Sequence, residues 1–154
     1  MGVKKWTRLA RGVLPCASCG AVIVAAGSAS RMAGVDKVMA DLGGEPLLVR
    51  TVRAFQQTAV IGEIVVVTRP DLLEPVAEAC RRAGLAKVKT VIAGGATRQA
   101  SVALGVAALS APALAAVQDG ARPFVTPELI DRVVRAANAY GAAAPAVPVR
   151  DTIK

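Results

Sequence analysis

The 154 residues contain no histidine. That absence excludes serine–histidine catalysis and metal sites built on imidazole. Cysteine is almost as scarce. Cys16, Cys19 and Cys80 are too few for a disulfide framework. Cys16 and Cys19 form a lone C-x-x-C with no partner pair, so two ordinary thiols are a safer reading than a redox or half-zinc site. Such usage is consistent with a reducing cytoplasm. Aromatic residues make up 3% of a chain that is 54% hydrophobic. A core must then be assembled from Ala, Val, Leu and Ile, which suit strands buried on both faces. Acids are outnumbered, 11 against 19 bases, for a net charge of +8. Lys4, Lys5, Arg8 and Arg11 supply half of that charge. A basic balance invites a nucleic-acid partner. The bases are scattered, however, and no nucleic-acid motif occurs; an anionic small substrate such as a nucleotide explains the charge equally well. No apolar run is long enough to span a bilayer. The basic start followed by Val13–Ala26 mimics a secretory signal, but Pro15, Ser18, two cysteines and Gly20 interrupt it. The expectation is a cytoplasmic protein with neither a membrane nor a nucleic-acid partner.

Strand and helix patterns alternate along the rest of the chain. Gly20–Ala26 reads as a first strand, and Leu47–Thr58 as a helix with apolar residues at 47, 48, 52 and 55. Glu63–Thr68 contains a buried I-V-V-V strand. Pro70 opens a helix that Gly84 ends. Lys87–Ala93 is a third strand, Thr97–Leu109 a helix capped by Thr97, and Ala113–Gln118 a fourth strand. Thr126-Pro127-Glu128 starts a helix to Tyr140, stopped by Gly141, and Ala142–Val149 reads as a fifth strand. This alternation predicts right-handed βαβ crossovers in an α/β fold of three layers around an open, mostly parallel sheet. At this length one domain suffices, spanning 20–154 behind a basic leader, 1–19, of unknown role. Ligands of such sheets bind beyond the carboxyl ends of the strands.

Four segments lie near those ends. Ala25–Met32, A-A-G-S-A-S-R-M, follows the first strand and precedes Lys37. Small residues admit close backbone approach, and Arg31 and Lys37 add positive charge where a polyphosphate would sit. Alone, the stretch is equally a strand-to-helix turn with two solvated bases. Gly94–Val102 reads G-G-A-T-R-Q-A-S-V, Gln118–Val125 reads Q-D-G-A-R-P-F-V, and Ala146–Lys154 reads A-V-P-V-R-D-T-I-K. In this order and at this spacing the four resemble the 2-C-methyl-D-erythritol 4-phosphate cytidylyltransferase family of the nucleotidyltransferases.

The resemblance implies a Rossmann-like fold of the nucleotidyltransferase type, with CTP and a sugar-alcohol phosphate as substrates. A cytidylyl group would pass from CTP to 2-C-methyl-D-erythritol 4-phosphate, releasing pyrophosphate, in isoprenoid precursor synthesis. It assigns Arg31 and Lys37 to charge stabilisation at the phosphates. Ala25, Ala26, Gly27, Gly95 and Ser101 go to the nucleotide, Asp119 to Mg²⁺, and Arg122, Asp151 and Thr152 to the acceptor. Arg98 would prop its loop. Four positions depart from the family: Ala29 replaces a usual Gly, Asp36 a usual Pro, Gln118 a usual His and Gly120 a usual Ala. Asp36 is expected to weaken the pull of Lys37 on phosphate. The resemblance covers roughly 20–154 but only the front part of the family's pattern, which continues into a dimerisation arm, a second metal-binding aspartate and an acceptor lysine. A truncated piece or a shortened relative is expected, homodimeric when full length. Two readings compete: a ribitol-5-phosphate cytidylyltransferase, and a nucleotide-binding domain without turnover. No G-x-G-x-x-G or G-x-x-x-x-G-K-[ST] supports a dinucleotide oxidoreductase or a P-loop kinase.

Overall fold

The computed structural model describes residues 18–27 and 36–148. Nine elements follow in order: β1 (Cys19–Ala25), α1 (Leu47–Gln57), β2 (Ile61–Thr68), a 3₁₀ turn (Pro70–Leu72), α2 (Leu73–Arg82), β3 (Val88–Ala93), α3 (Arg98–Ala107), β4 (Leu114–Asp119) and α4 (Pro127–Tyr140). The strands form one sheet in the order β3-β2-β1-β4. Every pairing in it is parallel. β1 is central and pairs Val24 with Val67 on one side and with Asp119 on the other. Its sequence, CGAVIVA, is apolar on both faces and buried along nearly its whole length, as a strand covered from both sides must be.

Chain direction sets the layers. From β1 to β2 to β3 the chain steps outward one way, and α1 and α2 cover one face. From β3 it returns past β2 and β1 to β4, so a right-handed crossover must use the opposite face. α3 lies there, packed on β1 and β2. The main core joins Ala21, Ile23, Ile64 and Val66 to α1, α2 and α4 through Val52, Val76, Cys80, Ile130 and Val134. The α3 face is thinner: its cluster of buried apolar side chains is Val22, Val65 and Val67. Burial pushes the Cys80 thiol up to about 11, so it stays protonated as an apolar core group.

The local signals account for the helix ends. The Thr97 and Thr126 side chains accept from the backbone N–H groups of Ala100 and Leu129 and cap α3 and α4. A backbone N–H and the Thr126 side chain hold the Glu128 carboxyl below its usual range. Gly84 and Gly141 follow α2 and α4 with φ of +67° and +87°, a conformation that glycine adopts without a Cβ penalty. Pro70 opens a 3₁₀ turn, and the α-helix proper begins at Leu73.

The expected fifth strand is a correction. Residues 142–148 form no strand. Pro145 and Pro148 carry no N–H for a ladder. The segment instead lies along α4 and β4, where Ala142–Pro145 line an apolar cavity of about 450 Å³ with Leu129 and Val133.

Candidate functional site

The reversal of strand order between β1 and β4 leaves a crevice at their carboxyl ends. A cavity of about 680 Å³ opens there, lined by Ala25, Ala26, Gly27, Lys37, Gly95, Ser101, Asp119 and Arg122, among others. The loops after β1, β3 and β4 therefore meet in one place. Arg31, Asp151 and Thr152 lie outside the described residues.

Lys37 opens a short turn rather than a helix. Asp36 carbonyl oxygen accepts from Met39 N–H at 3.2 Å, and Asp36 Oδ1 accepts from Val38 N–H at 3.1 Å. This Asx-type bond closes the turn from its first residue. Val38 points into the main core. Its carbonyl accepts from Leu48 N–H at 2.9 Å, which ties the turn to the start of α1. The Lys37 side chain is exposed to the cavity and makes no ion pair among the described residues. Asp36, singled out as a possible drain on Lys37, has its own cation: Arg69 Nη2 sits 2.6 Å from Asp36 Oδ2.

Gly94 and Gly95 carry the chain from β3 to α3. A Cβ on Gly94 would lie 2.5 Å from the Ala26 Cβ and 2.7 Å from Ser101 Oγ. Glycine therefore lets this loop touch the one after β1. Ser101 is 2% exposed. Its hydroxyl donates to Thr97 carbonyl oxygen at 2.9 Å and accepts from Gly95 N–H at 3.1 Å. The side chain lines the cavity while holding Gly95 in place. Gly95, Ala96, Thr97 and Arg98 bring the N-terminal end of α3 to the cavity, and that end of a helix favours anions.

Asp119 is the last residue of β4. Its Oδ1 accepts from Arg98 Nε at 3.1 Å and Nη2 at 2.8 Å, and Arg122 Nε lies 3.1 Å from Oδ2. Arg98 thus bridges two loops, the propping role expected of it. The next residue, Gly120, is fixed from both sides. Its N–H donates to Val24 carbonyl oxygen at 2.7 Å, and its carbonyl accepts from the buried Thr51 hydroxyl at 2.8 Å. Three cations, Lys37, Arg98 and Arg122, face two carboxylates, Asp36 and Asp119, so the lining keeps a positive excess. Among the described residues no cluster of three or more His, Cys, Asp or Glu forms a metal cage. Asp119 offers a single carboxylate, which suits a cation that draws its other ligands from phosphate and water.

Sequence reasoning missed Thr51 and Arg69. Thr51 carried a signal: a hydroxyl on the apolar face of α1, one turn from Leu47, Leu48 and Phe55. Arg69 carried none, since its partner Asp36 is distant in the chain. No helix among the described residues is long and apolar enough to cross a membrane.

Comparison with known proteins agrees with this architecture. The family model for IspD, 2-C-methyl-D-erythritol 4-phosphate cytidylyltransferase, matches residues 19–154. The enzyme of that name from Halalkalibacterium halodurans is 43% identical over 134 residues, covering 86% of this chain and 59% of the relative. The one from Dehalococcoides mccartyi is 41% identical over 135 residues, covering 88% and 60%. The chain thus spans about 60% of the length of these curated relatives. A crystal structure of 4-diphosphocytidyl-2C-methyl-D-erythritol synthase superimposes with a TM-score of 0.71 at 29% identity, covering 90% of this chain and 63% of that one. Sequence motifs, sheet order and these likenesses converge, and the chain belongs to the 2-C-methyl-D-erythritol 4-phosphate cytidylyltransferase family.

Proposed function

We propose that this chain transfers a cytidylyl group from CTP to 2-C-methyl-D-erythritol 4-phosphate. The products are 4-diphosphocytidyl-2-C-methyl-D-erythritol and pyrophosphate. The observation that carries the reading is the meeting of three motif loops in one positively lined cavity at the β1–β4 crevice, in a chain of this family.

The chemistry asks for alignment and charge neutralisation more than for covalent help. A phosphate oxygen of the acceptor attacks the α-phosphorus of CTP. The bond to the oxygen bridging α and β breaks, and pyrophosphate leaves with that oxygen. Lys37, with Arg31, stabilises the negative charge that grows on the α-phosphate and the leaving group. Ala25, Ala26 and Gly27 give the nucleotide a backbone surface without side-chain obstruction. Gly95, fixed by the Ser101 hydroxyl, lets the loop backbone approach the base. Asp119 would hold Mg²⁺, which when bound would supply positive charge to offset that of the phosphates. Arg122, with Asp151 and Thr152, takes the acceptor. The reading places the protein in the cytoplasm, and it carries the family's homodimer as an expectation for the longer relatives.

Pyrophosphate release from CTP and Mg²⁺, with and without 2-C-methyl-D-erythritol 4-phosphate, tests it. Acceptor-dependent release is expected. Faster turnover of ribitol 5-phosphate would shift the acceptor assignment. CTP binding with no release in either arm would replace the enzyme with a binding domain.

A further inference from the structure

Lys37 is the cation of this cavity without a carboxylate partner among the described residues, yet its neighbour in sequence is an acid that also lines the cavity. A lone aspartate there would repel the phosphates that Lys37 attracts. The structure supplies a counter-charge from another part of the chain. Arg69 follows β2 directly, and its guanidinium lies between two aspartates. It donates to Asp71 through Nε at 3.1 Å and Nη2 at 2.9 Å, and the same Nη2 is 2.6 Å from Asp36 Oδ2. The Asp36 contact is an ion pair without the alignment of a hydrogen bond, for Oδ2 is buried with no hydrogen-bond donor. The other oxygen, Oδ1, closes the Lys37 turn through Val38 N–H.

We propose that Asp36 and Arg69 form a positioning pair for Lys37: the aspartate shapes the turn that presents the lysine, and the arginine cancels the charge this shaping brings to the phosphate site. Neither residue touches the nucleotide in this scheme. The two functions of Asp36 sit on different oxygens and are separable by substitution. Asparagine keeps the Oδ1 acceptor and loses the charge. Asp71 anchors Arg69 whatever stands at 36, through its two oxygens on Nε and Nη2; the guanidinium is charged in either case.

The inference rests on the nucleotide reading above, and its test separates the two. CTP binding with Mg²⁺ is measured by calorimetry for the whole chain and for Arg69→Ala, Asp36→Asn and the double variant, with melting temperature as the folding control. Arg69→Ala uncovers the Asp36 charge and is expected to weaken CTP binding about tenfold. Asp36→Asn is expected to tighten it about threefold, by removing a residual like charge. The double variant is expected to return to within about twofold of the unaltered chain. A merely structural pair gives the opposite pattern, since losing both partners then cannot restore what losing one removed. CTP affinity unchanged in Arg69→Ala, or a double variant as weak as Arg69→Ala, overturns the pair while leaving the nucleotide reading in place. An unaltered chain that does not bind CTP overturns both.

Discussion

Two carboxylates line the same cavity, and they are held in different ways. Asp36 lies in a turn that also holds the core residue Val38, and it faces an arginine whose side chain is 26% exposed. Asp119 faces two arginines whose side chains are 63% and 73% exposed. Exposed ion pairs contribute on the order of 0–1 kcal/mol and exchange readily with water or another ligand. The Asp36 side of the cavity is therefore built and the Asp119 side is poised. Arg98 and Arg122 keep Asp119 neutralised, yet neither is bound tightly enough to exclude a metal ion or a phosphate. A site that must position one group and hand others over to ligands needs both kinds of attachment.

Removing the group that the built side presents has the largest expected effect. Lys37→Ala is expected to lower the rate of pyrophosphate release by about 10²–10³ and to leave the melting temperature nearly unchanged, because the side chain is exposed. A loss of stability equal to the loss of rate would mean that Lys37 belongs to the fold. Asp119→Asn comes next. It keeps size and one acceptor oxygen but weakens the hold on a cation, and release is expected to fall by about 10²-fold, partly recovered at higher Mg²⁺. Recovery by Mg²⁺ is the readout that a purely structural aspartate would not give.

Substitutions that act through the fold are expected to have smaller effects. Gly94→Ala places a methyl group against Ala26 and Ser101 where two loops touch, and overpacking of this kind costs about 1–3 kcal/mol. Urea unfolding reads it, and CTP affinity is expected to fall in parallel as the two loops are forced apart. Thr51→Val keeps the shape of a buried side chain but strips the Gly120 carbonyl of its donor. A buried acceptor left alone costs about 1–3 kcal/mol. The loss is expected near the lower end, since Val packs well in the surrounding apolar face of α1.

The layered fold was legible because its signals are local. The I-V-V-V run at Ile64–Val67, the caps at Thr97 and Thr126 and the stop at Gly141 each act within a few residues, and each appears where the pattern puts it. The 142–149 strand was misread for a physical reason. A continuous apolar run describes a strand only where a neighbour offers hydrogen bonds, and residues 142–148 pair with none of the four described strands. In the site, small residues and end-of-strand positions located Gly27, Gly95 and Asp119. Charge pairing was not legible. The partner of Asp36, Arg69, arrives through the β1–β2 pairing, which no local pattern encodes.

The smallest effect is the sharpest test of a poised Asp119. Arg122→Ala removes one of its two guanidinium partners, at a side chain 73% exposed in the structure. Arg98 remains on the other oxygen, so Asp119 keeps a partner. The expected change in unfolding free energy is within about 0.5 kcal/mol, measured by urea titration at low and high salt. A negligible change at both salts means that the pair is formed at almost no net gain, and Arg122 can then turn to a ligand phosphate without cost to the fold. A loss above about 1 kcal/mol that persists in high salt would be too large for an exposed pair. Asp119 would then be as fixed as Asp36, and the distinction between a built side and a poised side would fail.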